Sequence, residues 1–137
     1  MRNWIVSTLS TFMVLVAVGS AAAQSSRETE IRVVIEAQVQ AFLRDDAPAA
    51  YAIASPEIQA QFGNPANFIG MVQRGYPEVF RPQKFRFLGL VEEDGRIVQR
   101  VLIDGPSGTV VTAVYDMIEI DGRWRINGCQ ILRGSDA

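Results

Sequence analysis

Residues 108–132 read GTVVTAVYDMIEIDGRWRINGCQIL. Apolar and polar residues alternate on both sides of Asp121-Gly122, which is the period of a half-buried strand. An Asp-Gly pair supplies the two positive φ angles of a tight hairpin turn. The stretch is therefore two long antiparallel strands, and it holds Trp124, the one tryptophan downstream of residue 23. With a two-residue turn, Ile120 pairs with Arg123, Glu119 with Trp124, Met117 with Ile126 and Tyr115 with Gly128. Those last positions share one face with Ala113 and Val111. Ile131 then has the wrong parity to join them. A bulge at Asn127-Gly128 removes the conflict and turns Cys129 and Ile131 to the same side, where Cys129 is a small buried hydrophobe and not a nucleophile.

The opposite face carries Arg123, Arg125 and Asn127 against Ile120, Ile118 and Asp116. Asp116 is either a cross-strand salt-bridge partner or a buried acid for proton transfer, and the first reading is the commoner fate of such a pair. Val114, Ile118 and Ile120 on this face need a cover, and a second copy of the chain is the candidate: the expectation is a homodimer through the sheet.

Upstream, the same reasoning gives two more strands. Lys84–Glu92 and Arg96–Asp104 are joined at Asp94-Gly95, and Gly105-Pro106-Ser107-Gly108 turns into the strand that begins at Thr109. Before residue 84 the period is helical. Ile31, Val34, Ile35, Val39, Phe42 and Leu43 recur every three or four residues, and Ser25 with Glu28 has the spacing of a capping box, so a helix is predicted from Ser25 to about Arg44. Asp46, Ser55-Pro56 and Asn64-Pro65 are three further helix starts, each a capping side chain with a proline in the first turn. Gly63 and Gly75 are the matching stops. Asp45-Asp46 can also be read as a metal or acid–base pair, but capping explains it with less. Phe62, Phe68, Met71 and Tyr76 read as core. The prolines at 77 and 82 predict an extended connector over 76–82. Short helices followed by four meandering antiparallel strands make an α+β domain with its helices on one sheet face.

The N-terminus is a different kind of segment. Met1-Arg2-Asn3, an apolar run from Trp4 to Val18 and Ala21-Ala22-Ala23 have the layout of a cleavable signal peptide, with cleavage after Ala23 and a periplasmic or secreted address. The run is shorter than the ~20 residues of a membrane span. Cleavage removes Arg2 and leaves 114 residues as one domain, with 12 basic and 15 acidic side chains, a net charge of −3. Nothing in this balance favours nucleic acid. A single cysteine excludes an internal disulfide, and the absence of histidine excludes the histidine-based triads and histidine-ligated metal sites. No cofactor is expected.

Taken in order, Asp45-Asp46, Ala54-Ser55-Pro56, Phe62-Gly63, Phe68, Gly75-Tyr76, Phe80-Arg81-Pro82, Gln99, Val101, Tyr115 and Trp124-Arg125-Ile126 with Gly128-Cys129 resemble the bacterial domain of unknown function 4864. The resemblance covers nearly all of the chain after residue 23. It implies a cystatin-like or nuclear-transport-factor-2-like cone, in which helices fill a bent sheet and leave a pocket between. It implies no activity.

Three functions follow. The first is a non-catalytic binding or accessory module for a small apolar or carboxylate-bearing ligand or a protein segment, with Tyr51, Tyr76, Arg100 and Tyr115 as candidate ligand groups. Arg100 is placed there by a register that sets it opposite Gly89 on a face with Phe87, Val98 and Leu102. The second is an acid–base enzyme of ketosteroid-isomerase type using Tyr115 and Asp116. Adjacent strand residues point to opposite faces, which counts against it and leaves the catalytic assignment empty. The third is a structural, dimerising subunit.

Overall fold

The computed structural model describes residues 19–134. The expected apolar leader segment, residues 4–18, lies outside the described residues. Five helices precede four strands: α1 (Gly19–Leu43), α2 (Ala47–Ile53), α3 (Pro56–Phe62), α4 (Pro65–Gly75), α5 (Pro77–Phe80), β1 (Lys84–Glu93), β2 (Arg96–Asp104), β3 (Val110–Ile120) and β4 (Arg123–Arg133). The strands form one open antiparallel sheet in the order β1-β2-β3-β4. The α+β class and the meander are as the alternation implied.

All three short-helix starts are capped by the side chains that announced them. Asp46 Oδ1 accepts from the Ala49 N–H at 3.1 Å, Ser55 Oγ from Ile58 at 3.3 Å and Asn64 Oδ1 from Asn67 at 2.8 Å. Asn64→Ala should therefore cost about 1 kcal/mol in urea unfolding, the ordinary value of a lost cap. Asp45 ends α1 instead. It takes a left-handed conformation (φ 57°), and Asp46 and Asp45 donate their N–H groups back to the Ala41 and Phe42 carbonyls. This is the paired hydrogen-bond pattern that commonly closes a helix. The Asp45 carboxylate meets Arg81 at 2.5 Å.

Two expectations about the helices need correction. α1 does not start at Ser25. Among the described residues it is already helical from Gly19 and runs through Ala21-Ala22-Ala23, alanine having the highest helix propensity. Glu28 is bound by Arg32 one turn on, at 2.6 Å, and does not reach back to cap Ser25. Leu43, expected on the buried stripe, is exposed. Second, residues 76–82 are not extended throughout. The rule that proline pushes its predecessor out of helical geometry holds for Tyr76 and Arg81, whose φ angles are near −136°. Between them Pro77–Phe80 closes a single helical turn, because proline suits a first turn.

Both Asp-Gly hairpins have the required backbone, with φ 50° and 74° at Asp94-Gly95 and 52° and 74° at Asp121-Gly122. The β3–β4 register is the expected one from Ile120↔Arg123 to Met117↔Ile126. There Asn127 is the extra residue of a bulge, so Gly128 faces Asp116 and Tyr115 faces Cys129, not Gly128. Ile131 falls in line with Ala113. A second bulge was not foreseen. In β1, Leu88 and Gly89 together stand opposite Arg100, between the pairs Phe87↔Val101 and Leu90↔Gln99.

The core lies between the helices and one sheet face. Ile31, Ile35 and Phe42 from α1 and Val101, Ile103, Val111, Ala113 and Tyr115 from the sheet are almost fully buried there. The rings of Phe68 and Phe80 lie 6.2 and 6.0 Å from that of Phe42. The helix layer is also stitched to the free edge of β4. Ser55 donates its N–H to the Ile126 carbonyl at 2.8 Å and its hydroxyl to Asn127 Oδ1 at 2.7 Å, at the bulge.

Candidate functional site

α1 and α4 supply most of one wall of a cleft, and α3 closes its side. Gln38 and Phe42 face it from α1, Phe62 from α3, Phe68, Met71 and Val72 from α4, and Tyr76 and Val79 follow. The floor is the inner face of β3–β4 at Tyr115, Ile126, Gly128 and Cys129. The Asn127 bulge makes this floor, since without it Cys129 would point to the other side of the sheet. The cleft has a volume of about 480 Å³, within the range of ordinary small-molecule sites. No charged side chain lines it.

Its polar groups are few: Gln38 and Tyr115 are buried, Tyr76 and Cys129 are partly buried, and Gln61 is exposed at the mouth. Tyr115 is 1% exposed, and its hydroxyl has no hydrogen-bond partner. Burial, with a smaller push from the neighbouring Cys129, raises this phenol well above its ordinary pKa. Tyr76 is raised for the same two reasons. Burial pushes the Cys129 thiol up to about 12. All three groups are thus uncharged at neutral pH, and Cys129 is a poor nucleophile. Gln38, 4% exposed, spends its amide on the Ala50 carbonyl at 3.1 Å. A phenol held neutral can donate one hydrogen bond, and an apolar surround makes that bond strong.

The four candidate ligand residues separate. Tyr76 and Tyr115 are on the cleft wall. Tyr51 lies behind it, donating its hydroxyl to the Gln59 carbonyl at 2.6 Å while Gln59 donates back to the Tyr51 carbonyl at 2.9 Å. That reciprocal clamp joins α2 to α3. Arg100 is on the far side of the sheet. The bulge at Leu88-Gly89 puts Phe87 opposite Val101 on the inner face, so Arg100 does not share a face with Phe87 and instead pairs with Val114. Val114, Ile118 and Ile120 lie on that outer face too. Asp116 is there as well, accepting from Arg96 Nη2 at 2.8 Å and Nε at 3.2 Å rather than from Arg125. Arg125 instead turns around the sheet edge to the Ala52 carbonyl.

Gln38 was missed as a lining residue. Its place in the α1 stripe, three after Ile35 and four before Phe42, was the available signal. Gln99 was also missed as a buried group. Its amide donates to the Leu88 and Arg100 carbonyls, both at 2.9 Å, and holds the β1 bulge.

Residues 24–137 match the family described as domain of unknown function (DUF4864). No curated protein and no solved structure matches the chain. With the match spanning everything from Gln24 onward, the chain belongs to the domain of unknown function 4864 family.

Proposed function

We propose that the domain is an exported, non-catalytic binding module that holds a small, neutral, largely apolar molecule in the cleft between its helices and β3–β4. One observation carries this: Tyr115, whose buried hydroxyl has no hydrogen-bond partner, lines a cleft that has no charged side chain. An unpaired buried hydroxyl costs about 1–3 kcal/mol. A ligand carbonyl or ether oxygen would supply the acceptor it lacks, while the Phe and Met side chains take the apolar remainder. A carboxylate-bearing ligand is the weaker reading, because Arg100 belongs to the other face. So is a ketosteroid-isomerase-like enzyme, because Asp116 is on that outer face with Arg96 while Tyr115 is inside. Kinship with the cystatin-like and nuclear-transport-factor-2-like cones belongs to the same proposal and rests on the helix-on-sheet layering.

Export rests on the leader pattern and on the family match, which starts at the first residue after the expected cleavage point. No helix among the described residues is long and apolar enough to cross a membrane. Intact mass of the protein from its own cells should correspond to a chain starting at Gln24.

Tyr115→Phe tests the binding reading. The variant should be as stable as the parent or more stable by about 1 kcal/mol, since the unsatisfied hydroxyl is gone. Native mass spectrometry of the parent from its own cells should retain a small molecule, and the variant should lose most of it. A parent of bare chain mass would overturn the reading. So would a variant that is clearly destabilised yet keeps the molecule.

A further inference from the structure

We propose that the outer face of the sheet is a docking surface for a protein segment that presents carboxylates around an apolar centre. The face turned away from the helices carries Lys84, Arg86, Arg96, Arg100 and Arg123, by the pairings Arg86↔Leu102, Arg100↔Val114 and Ile120↔Arg123 and the alternation along each strand; Arg125 leaves it for the Ala52 carbonyl at the sheet edge. Against these five cations it holds three carboxylates, Glu93, Asp104 and Asp116. The face is therefore +2 in a chain whose formal total is −2, which leaves −4 for everything else. Arg96 is already bound to Asp116, and Lys84 stands opposite Asp104. Arg86 and Arg100 form no ion pair among the described residues and flank the centre.

That centre is aliphatic. Val91, Leu102, Val114 and Ile118 lie among the arginines, with Val91 41% and Ile118 38% exposed although both are large apolar residues within strands, while Val98 beside Val91 is itself buried. No element among the described residues packs on this side. Four strands about 4.8 Å apart and ten residues long at about 3.3 Å each present roughly 600 Å². This is close to the ~800 Å² that each partner gives to a standard protein interface. An apolar centre ringed by arginine is also the composition of such interfaces.

Charge selects the occupant. A second copy related by a two-fold axis would set this face against itself, +2 against +2, and like-charge juxtaposition opposes that pairing. A membrane surface is served by lysines with Trp, Tyr or Phe anchors, whereas this face has one lysine and no aromatic side chain. Arginine is suited to carboxylates, which it binds through two parallel hydrogen bonds. An acidic segment with aliphatic residues between its carboxylates satisfies both the charge and the centre. It would also leave the cleft on the opposite side free, so the two sites work independently.

The test is a photo-cross-linking residue at Val114 of the full chain, in the cells that make it, with the adduct sequenced. The expected product is one protein, joined at a peptide whose aliphatic residues are flanked by Asp or Glu. The adduct should fall about tenfold in Arg86→Gln/Arg100→Gln, a loss expected for two charge contacts, while the melting curve is unchanged. The same cross-linker at Glu36 on α1 should not give it. An adduct containing only this chain, an adduct with lipid, no adduct, or one whose yield ignores the two arginines would each overturn the proposal. So would a partner peptide without carboxylates.

Discussion

Phe42→Ala should destabilise the domain by about 3–5 kcal/mol, the cost of emptying a buried aromatic site. Phe42 is 1% exposed and its ring lies between those of Phe68 and Phe80. From α1 it reaches α4 through Phe68 and α5 through Phe80. Alanine would remove the contacts to α4 and α5 together and enlarge the cleft that Phe42 lines. Domains of this size have a total stability of about 5–15 kcal/mol, so the variant should be near unfolding at room temperature. Urea unfolding followed by tryptophan fluorescence measures it, since Trp124 is buried against the same core. A loss under about 1 kcal/mol would mean that the helices repack around the gap, and that the cleft's shape does not depend on this ring.

The second large effect is expected at Gly105→Ala, about 2–3 kcal/mol by crowding of a packed site. A methyl group there would lie 2.6 Å from Cγ of Glu78 and 3.3 Å from the Thr109 carbonyl. Glu78 is a buried carboxylate, 5% exposed, that accepts from Arg133 Nη1 at 2.6 Å. It fastens α5 to the end of β4. The Arg133 hydrogen bond, offset in part by burial, holds its pKa below the ordinary glutamate value. A carboxyl whose folded pKa is depressed stabilises the fold above its unfolded pKa, and the contribution disappears as pH falls through the folded value. Stability of the parent should therefore drop on the acid side of the usual glutamate range. Arg133→Met should be less stable at neutral pH and should lose that acid-limb dependence. In the Arg133→Met background, Gly105→Ala should cost less than in the parent, because the contact it breaks is already weakened. Equal costs in the two backgrounds would show that the methyl group acts elsewhere.

How far the sequence could be read depended on whether a rule was local. The hairpins at Asp94-Gly95 and Asp121-Gly122 and the caps Asp46, Ser55 and Asn64 each follow from a few adjacent residues. The Asn127 bulge was legible because Ile131 broke parity with Ile126. The same clue was present in β1, where the apolar residues move from odd positions, Phe85 and Phe87, to Leu88 and Leu90. The β1 bulge moves the register by one residue, and a register drawn without it puts Arg100 on the wrong face. That is why half of the candidate ligand set is on the cleft and half is not. Tyr76 precedes the sheet, and Tyr115 keeps its face because the Asn127 bulge lies in the partner strand and changes only which residue it meets, whereas Tyr51 looked available only because its partner Gln59 is in another helix. The cleft itself depends on how five helices stack, which no single segment specifies.

The Ser55 stitch has a kinetic consequence. Ser55 caps α3 and also bonds to Ile126 and Asn127, some seventy residues later in the chain. Contacts of such long sequence separation close late, because the entropy of the intervening loop must be overcome before they form. α1 and α3 meet the sheet mainly at β4, so the helices, although they come first, have their main anchor in the last of the described strands. β4 therefore acts as the latch of the fold. A chain stopped before Ile126 should remain an unlatched collection of helices, open to proteases, however well its own caps are formed.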